Sequence, residues 1–527
     1  MKIALAQLNY TIGDIDGNVA RIIDAIRKAE AEKADLVLFA EFAVSGTPAY
    51  DLLRKTTFLT LCEEALEQIA AHCTRLTAIV GSPYLTERGA VSAAAVLRRG
   101  RIDQIVEKQH VSARREMGFI VGGEGYKVID VCGRNIAVMV GDDLSRLNEL
   151  DSEADFVVSI NSRRYGKGLL SRRLETMRNL TYTEGRNIVL INQVGGSGDL
   201  VYDGTSGIMN KRGEVELLMK SFEEDFVIFD TMAEHQSVDV PYTTYNDRTR
   251  MVYQAACLGI RDYFIKSGYQ KACVGLSGGI DSSVVACLAV GALGKENVKG
   301  LMLPSQFSSE ESVEDAKQLA DNLGIEFSVL PINEAYTAIM DTLKPVTGGT
   351  EFDATEENIQ SRIRTVLLMA LQNKDGYVLL NSSNKSENAI GWCTLYGDTA
   401  GAFSPTGDLY KSEVYDLARY INLKFDDVIP ESILKKEPSS ELRPNQKDSD
   451  ILPPYEVIDA ILYRMIEVGQ HSEEIINAGF DSEVVERIHT MVMQNVKKRY
   501  QYPPVLRLST SSFRHECLFP LVNKYGY

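Results

Sequence analysis

No apolar stretch in this 527-residue chain reaches the roughly 18 residues needed to cross a membrane, so no transmembrane helix is expected. The segment Met1-Lys2-Ile3-Ala4-Leu5-Ala6-Gln7 is apolar only briefly and reads as a first strand, not a signal peptide. The eight cysteines form no Cys-x-x-Cys pair. Neither a zinc site nor a disulfide framework is expected from that spacing, and a reducing cytoplasm is the expected compartment. Positive charge is in deficit: 56 Lys and Arg face 73 Asp and Glu, for a net charge of −17. That balance excludes general electrostatic binding to nucleic acid or membrane surfaces. It leaves an anionic small substrate open, because a phosphate needs only a local cradle. An internal repeat is absent as well. What remains, with 44% hydrophobic and 24% charged residues, is a globular composition long enough for two or three domains, or one large domain per half.

Strands and helices alternate through the first half. Lys2–Leu8, Leu36–Ala40, Ala78–Gly81, Ile136–Val140, Phe156–Ile160 and Ile188–Gln193 are short apolar runs of the kind buried strands need. Asn18–Ala31 places Val19, Ile22, Ile23, Ile26 and Ala29 at helical spacing. The pattern changes at Asp239-Val240-Pro241-Tyr242-Thr243-Thr244-Tyr245-Asn246-Asp247, a polar, proline-marked linker, so domains are expected at 1–240 and 248–527. A second α/β series follows, with strands at Cys273–Leu276, Lys299–Pro304, Phe327–Pro331 and Tyr377–Asn381, and helices at Asp281–Ala292 and Ser309–Leu323. Alternation of this kind implies sheets covered by helices.

One strand–helix junction reads Val274-Gly275-Leu276-Ser277-Gly278-Gly279-Ile280-Asp281-Ser282-Ser283. Adjacent glycines let backbone approach a ligand closely. The Ser277 and Ser282 hydroxyls, the loop amides and the positive end of the following helix suit phosphate oxygens. Asp281 repels phosphate, and a bridging Mg²⁺ accounts for it. The string resembles the Ser-Gly-Gly-x-Asp-Ser loop of ATP pyrophosphatases and lacks the Gly-Lys-Ser/Thr ending of a Walker loop. Enzymes with this loop cleave ATP between the α and β phosphates and adenylate a substrate. The loop alone fits NAD, GMP, argininosuccinate and asparagine synthetases and tRNA-thiolating enzymes.

Three later segments discriminate. Thr355-Glu356-Glu357-Asn358-Ile359-Gln360-Ser361-Arg362-Ile363-Arg364 reads as a helix start with Thr355 as N-cap, Asn358 and Arg362 on one face, and Ile359, Ile363 and Leu367 on the other. Asn381-Ser382-Ser383-Asn384-Lys385-Ser386-Glu387, with Gly391-Trp392-Cys393-Thr394-Leu395-Tyr396-Gly397-Asp398 after it, follows a strand whose carboxyl end is where open α/β sheets bind ligands. The third segment is Glu437-Pro438-Ser439-Ser440-Glu441-Leu442-Arg443-Pro444. Together they resemble the NAD synthetase family in its longer form, fused to a glutamine amidotransferase. The resemblance implies a doubly wound parallel-sheet ATP-pyrophosphatase domain that adenylates deamido-NAD and amidates it to NAD. It further implies that Gly275, Leu276, Ser277, Gly278, Gly279, Ile280, Asp281, Ser282, Ser382, Lys411 and Ser439 bind ATP, and that Asp281 and Glu387 hold Mg²⁺. Asn358, Arg362, Glu387 and Lys498 would hold deamido-NAD. Lys498 stands in Lys498-Arg499-Tyr500-Gln501-Tyr502-Pro503-Pro504. Asn381-Ser382 replaces the family's usual Thr-Thr. A homo-oligomer is also implied.

The first half resembles the nitrilase superfamily, which implies an α/β/β/α sandwich and a Glu, Lys, Cys triad. Phe39-Ala40-Glu41-Phe42-Ala43-Val44-Ser45-Gly46-Thr47-Pro48 matches the segment of the Glu base, with Glu41 read as ending a strand. Lys108 matches the oxyanion lysine. The nucleophile is missing: where the superfamily ends a strand Cys-Glu-Asp, this chain has Gly141-Asp142-Asp143. Cys132 lies nine residues earlier, or about 30 Å along an extended strand, and cannot replace it there. The stretch after the lysine reads Val111-Ser112-Ala113-Arg114 in place of Leu-Pro-Asn-Tyr. Arg163-Arg164 stands where a Ser-Pro is usual near the glutamine carboxylate. Asn192–Gly204 keeps the family pattern. The reading is an NAD synthetase that takes free ammonia, with an inactive glutaminase domain that packs on its neighbours. Two alternatives stay open: glutamine use through another nucleophile, and a non-catalytic ATP-binding assembly protein.

Overall fold

The computed structural model describes residues 1–112, 118–124, 126–150, 152–238, 240, 245–347 and 351–522. Ala113 and Arg114, and most of the linker at Asp239 and Pro241–Thr244, lie outside them. The chain divides into two compact units, Met1–Thr244 and Tyr245–Tyr527.

The first unit stacks two six-stranded sheets. One runs Asp225–Asp230, Lys2–Gln7, Leu36–Leu38, Thr77–Thr86, Gly89–Arg98, Arg101–Glu107. The other runs Val215–Leu218, Gly207–Met209, Asn187–Asn192, Phe156–Asn161, Arg134–Val140, Lys127–Val131. Side chains alternate across a strand, and that alternation sorts the core into layers. Ile3, Leu5, Leu36 and Leu38 join Ile136, Val138, Val158 and Ile160 between the sheets. Ala4, Ala6, Val37 and Phe39 turn the other way, onto helices Ile15–Ala31 and Thr56–Ala70. The first helix starts at Asp14, whose side chain accepts from Gly17 N, and buries Val19, Ile22, Ile23, Ile26 and Ala29. Helix Leu169–Glu184 covers the outer face of the second sheet. This is the expected α/β/β/α sandwich. One local expectation needs correcting: the apolar run from Leu36 leaves the sheet at Leu38, so Glu41 sits in the turn that follows and not at a strand end.

The second unit carries a parallel sheet in the order Glu326–Val329, Val298–Met302, Lys271–Gly275, Tyr377–Leu379. The chain starts in the third of these strands, winds outward twice, then crosses to the opposite edge. The direction of winding therefore reverses between Lys271–Gly275 and Tyr377–Leu379, which opens a crevice at their carboxyl ends. Helix Ala354–Asp375 packs on one face through Ile359, Ile363 and Leu368. Ile280–Leu293, Tyr245–Lys266 and Lys411–Lys424 form a packed layer of their own, the first of them against Lys271–Gly275 and Val298–Met302. This is the doubly wound architecture. The N-cap of the long helix is Asp353, which accepts from Thr355 N at 2.6 Å while Glu356 returns a bond to Asp353 N; Thr355 is the second residue of the helix, not its cap.

Beside the crevice a second set of helices, including Tyr455–Tyr463 and Ser482–Gln494, closes over Lys385–Ile390. Lys385 is fully enclosed. Its Nζ lies 2.6 Å from Glu467 and 3.1 Å from Asp408, and donates to Ser509 Oγ and Ser511 O, both at 2.9 Å. A short π-helical turn, Arg464–Val468, presents Glu467 to it. Burial pushes the Asp408 carboxyl up, but Lys385, Ser512 and Ser509 outweigh burial and hold it at about 2. Its folded value thus lies below the unfolded value of about 3.9, so the stabilisation is complete above about pH 4 and is lost as pH falls toward 2. Asp408→Asn is expected to flatten the acid branch of stability, which Asp408 steepens by about 2 kcal/mol. Urea unfolding of both proteins between about pH 5 and 2 tests this, and parallel curves would refute it.

Candidate functional site

A cavity of about 300 Å³ occupies the crevice of the second unit. Gly275–Asp281, Leu379–Ser382, Glu387, Lys411 and Lys436–Glu441 contribute to its wall. Gly278 is the residue on which the loop turns. It has φ of +75°, and a Cβ there would lie 2.3 Å from Ser312 O, so the close approach of the loop to the helix Glu310–Leu323 requires glycine. Gly279 has no such constraint. Ser277 Oγ and Ser282 Oγ are 3.2 Å apart, and Ser282 also donates to Gly279 O. Ser282 is thus turned into the loop, which it braces, while Ser277 faces the cavity.

One ammonium organises the cavity. Lys411 Nζ lies 2.6 Å from Asp281 Oδ2 and 2.9 Å from Glu387 Oε1. Burial works against the lysine's charge, but the two carboxylates prevail and hold its pKa above the ordinary value. Burial also lifts Glu387 to about 7, opposed by Lys411 and reinforced by Asp281. Asn384 completes the cluster. It donates to Asp281 Oδ1 at 2.8 Å and caps the helix Lys385–Ile390 by accepting from Glu387 N at 2.9 Å. The capping pattern Asn-x-x-Glu was the available signal for this residue. Two carboxylate oxygens within reach of one nitrogen, with no thiolate or imidazole beside them, suit a hard cation that takes its remaining oxygens from phosphate and water. Among the described residues no group of three or more ligating side chains forms a cage for a metal.

Ser382 and Ser439 line the same cavity. Asn381 accounts for the departure from Thr-Thr. Its amide donates to Asp398 O and Ala400 O and accepts from Ser383 N and Ser404 Oγ, so it knits together the strand end and the loop that returns to it. Sequence reasoning did not single out Arg364, Lys436, Asp398 or Asp448, all of which line the cavity. Arg364 and Asp398 close two of the segments quoted above without a role of their own having been assigned, and Lys436 and Asp448 lie outside every such segment.

The residues expected for deamido-NAD divide. Glu387 lines the cavity; Asn358, Arg362 and Lys498 do not. Those three meet instead on the segment Gly391–Leu395. Asn358 Oδ1 accepts from Thr394 Oγ1 at 2.7 Å, Arg362 Nε donates to Leu395 O at 3.1 Å, and Lys498 Nζ donates to Gly391 O and Cys393 O at 2.7 and 2.8 Å.

In the first unit Glu41, Lys108 and Gly141 come together. Lys108 Nζ donates to Glu41 Oε1 at 3.1 Å, and Ser92 Oγ donates to the same oxygen at 2.8 Å. Both charged groups are buried. Gly141 has φ of +58°, and a Cβ on it would lie 2.7 Å from Lys108 Nζ and 3.0 Å from Glu41 Oε2. Asp143, buried next to it, accepts from Gln109 N and His110 N and so anchors the segment that carries Lys108. Arg163 donates to Asn161 Oδ1 and Gly141 O and lies 3.4 Å from Asp142. Arg164 is buried and donates to Tyr165 O. The three cysteines of this unit do not reach the site as nucleophiles. Cys62 and Cys73 are enclosed in the helix-facing core, where burial pushes both thiols up to about 12. Cys132 is exposed in the turn before Arg134–Val140, at the opposite end of that strand from Gly141.

The backbone at Gly141 and the nearby ammonium make a side chain there unfavourable. Gly141→Cys is expected to destabilise the first unit by about 1–2 kcal/mol through the left-handed conformation alone. A lowered urea midpoint would register it; an unchanged midpoint would mean that the strand end relaxes freely.

The sequence comparisons follow the same two units. A carbon-nitrogen hydrolase family model matches residues 2–233, and an NAD synthase family model matches residues 252–502. The glutamine-dependent NAD(+) synthetase of Aquifex aeolicus is 38% identical over 100% of both chains, and that of Acinetobacter baylyi is 37% identical over 99% of this chain and 98% of its own. A solved structure of the glutamine-dependent NAD+ synthetase from Acinetobacter baumannii in complex with ADP superposes with a TM-score of 0.78 at 35% identity, over 99% of this chain and 98% of that one. The enzyme of that name from Cytophaga hutchinsonii has the same fold, with a TM-score of 0.87 at 19% identity over 100% and 98% of the two chains. Both units match, in order and nearly end to end: the chain belongs to the glutamine-dependent NAD(+) synthetase family.

Proposed function

We propose that this protein synthesises NAD by adenylating deamido-NAD with ATP and aminating the acyl-adenylate, and that it draws on free ammonia instead of glutamine. The observation that carries the first part is the Lys411–Asp281–Glu387 cluster at the mouth of a glycine-built loop. The observation that carries the second is Gly141 beside Glu41 and Lys108.

A pyridine carboxylate is a poor electrophile because its leaving group would be oxide. Transfer of AMP to it converts that oxygen into a phosphate leaving group and releases pyrophosphate. Lys411 keeps its charge, so it is a fixed cation facing the departing phosphates. The amides of Ser277–Ile280 and the start of helix Ile280–Leu293 add partial positive charge along the same line. Mg²⁺, when bound at Asp281 and Glu387, would supply the remaining charge neutralisation. Asn384 orients the Asp281 carboxylate for that role. Adenylation requires that water be kept from the acyl-adenylate, which it would otherwise hydrolyse. Deamido-NAD is expected to reach the cavity past Gly391–Leu395, the segment braced by Asn358, Arg362 and Lys498. A cytoplasmic homo-oligomer completes the proposal by family resemblance.

In the first unit a thioester cannot form, because Gly141 has no side chain to attack the glutamine amide. Glu41 and Lys108 remain as a buried ion pair, and losing either partner alone would leave an uncompensated charge. The pair is therefore retained by the fold even where its chemistry is not used.

Two measurements test the proposal. NAD formation from ATP and deamido-NAD is expected with ammonium and not with ammonia-free glutamine, and no glutamate should be released. Glutamine-supported synthesis near the ammonium rate would overturn the ammonia reading and call for another nucleophile. Asp281→Ala and Glu387→Ala are each expected to abolish pyrophosphate release at saturating ATP and Mg²⁺. Turnover near wild type in either variant would remove that carboxylate from the metal site.

A further inference from the structure

The wall segment Lys436–Glu441 is tied at both ends to one residue, Ser312. Lys436 Nζ donates to Ser312 Oγ at 2.7 Å and lies 3.3 Å from Asp315 Oδ2. Ser312 Oγ in turn donates to Glu441 Oε1 at 2.7 Å. A hydroxyl has one hydrogen to give and lone pairs to receive, so Ser312 relays a continuous chain from the ammonium to the carboxylate. Glu441 holds Ser309 as well: Oε1 accepts from Ser309 Oγ at 2.8 Å and Oε2 from Ser309 N at 3.2 Å. Its partners all lie at the start of helix Glu310–Leu323, more than a hundred residues earlier in the chain.

Glu441 makes these bonds from a strained backbone. Its φ is +46°, in the left-handed region that a non-glycine residue enters against steric resistance. A residue stays there only when its surroundings hold it. The helix does not need Glu441 for its cap, since the Ser309 side chain already accepts from Ser312 N at 3.1 Å. The tie therefore serves the segment Lys436–Glu441 more than the helix. Ser312 also meets the phosphate loop, because its carbonyl oxygen packs on Gly278 so closely that a Cβ there would come within 2.3 Å. Ser439, between the two ties, lines the cavity, and its hydroxyl is fixed from both sides. It donates to Gln446 O at 2.5 Å and accepts from Glu441 N at 3.2 Å. Ser312 thus carries the loop on its backbone and the segment of Ser439 on its side chain.

We propose that Glu441 is a positioning residue of the ATP site. Through Ser312 it sets the gap between Gly278 and Ser439, and that gap is the slot for the triphosphate. The inference rests on the synthetase reading above and gives it a part that lies outside the phosphate loop. Glu441 touches no reacting atom in this arrangement. Its loss should weaken ATP binding and leave the chemistry of bound ATP intact.

The test is deamido-NAD-dependent exchange of pyrophosphate into ATP by the full chain, with ATP and deamido-NAD varied in turn. Glu441→Ala is expected to raise the KM for ATP about tenfold, with the KM for deamido-NAD and the rate at saturating ATP each within about twofold. Glu441→Gln keeps an oxygen for Ser312 and should recover most of the affinity. Ser312→Ala cuts the same tie from the other side while its backbone oxygen stays on Gly278. It should raise the KM for ATP by a similar factor, and the double variant should be no worse than either single one, because both remove one clamp. Ser312→Ala leaves the left-handed backbone at Glu441 untouched, so it carries the test if Glu441→Ala fails to fold. An unchanged KM for ATP in either variant, an equal rise in the KM for deamido-NAD, or effects that multiply in the double variant overturn the assignment, while exchange in the wild type still upholds adenylation. No exchange in the wild type overturns the synthetase reading and this inference together.

Discussion

A single buried ammonium, Lys411 Nζ, holds the second unit's cavity in shape. It gathers a carboxylate from the glycine loop and another from the helix Lys385–Ile390, and it stands itself at the first residue of a third element, Lys411–Lys424. The backbone there is held just as firmly. Lys411 N donates to Ser386 Oγ, Ser412 N donates to Asp459 Oδ2, and Tyr410 N donates to Glu413 Oε2, so side chains from two other elements join the helix's own Glu413 in closing its start. Asp459 also accepts from Ser386 Oγ. Each carboxylate would repel the other if the lysine were absent, and the lysine would be costly to bury without both. The arrangement is stable only as a set of three.

The neighbouring Lys385 shows how position separates structure from chemistry. Both lysines are buried and both pair with two carboxylates. Lys385 is enclosed on every side, its hydrogen bonds spent on the chain's own tail at Ser509 and Ser511. Lys411 opens onto the cavity, where its charge can act on a ligand. The same reasoning applies in the first unit. Glu41 and Lys108 are buried and mutually satisfied, which makes them part of the core whether or not a nucleophile accompanies them. A glycine at position 141 leaves the sheets packed, because the layers are held by Ile3, Leu5, Leu36, Val138 and their neighbours between the sheets.

Periodicity and loop chemistry decided a good deal from the sequence alone. Apolar runs located most of the central strands within a residue or two, since a buried strand needs continuous apolar sequence, but the strand from Thr77 runs on to Thr86, and Gly89–Arg98, Arg101–Glu107, Lys127–Val131 and Asp225–Asp230 were not expected. Alternation with helical patterns identified two covered α/β units. The Ser-Gly-Gly-x-Asp-Ser string marked the phosphate loop, because strand, turn and helix start are all local. A glycine at position 141, beside Glu41 and Lys108, was equally legible, being a matter of residue identity. Where the local rules competed, sequence reading slipped: Asp353 and Thr355 are both good N-caps, and only the backbone path chose Asp353.

Only the tertiary structure decided which distant residues share a wall. Asp448 carries no motif, and Trp392 was seen only as part of one, yet folding sets them side by side. Asn358, Arg362 and Lys498 share a partner segment that no spacing along the chain reveals, while Glu387, which the resemblance assigned both to deamido-NAD and to the metal beside Asp281, stands apart from them next to Asp281 and Lys411. The physical reason is the crossover of the parallel sheet. Residue types and local hydrogen bonding are written within a few positions of each other, but the reversal of winding brings together loops more than a hundred residues apart, as Asp281 and Lys411 are.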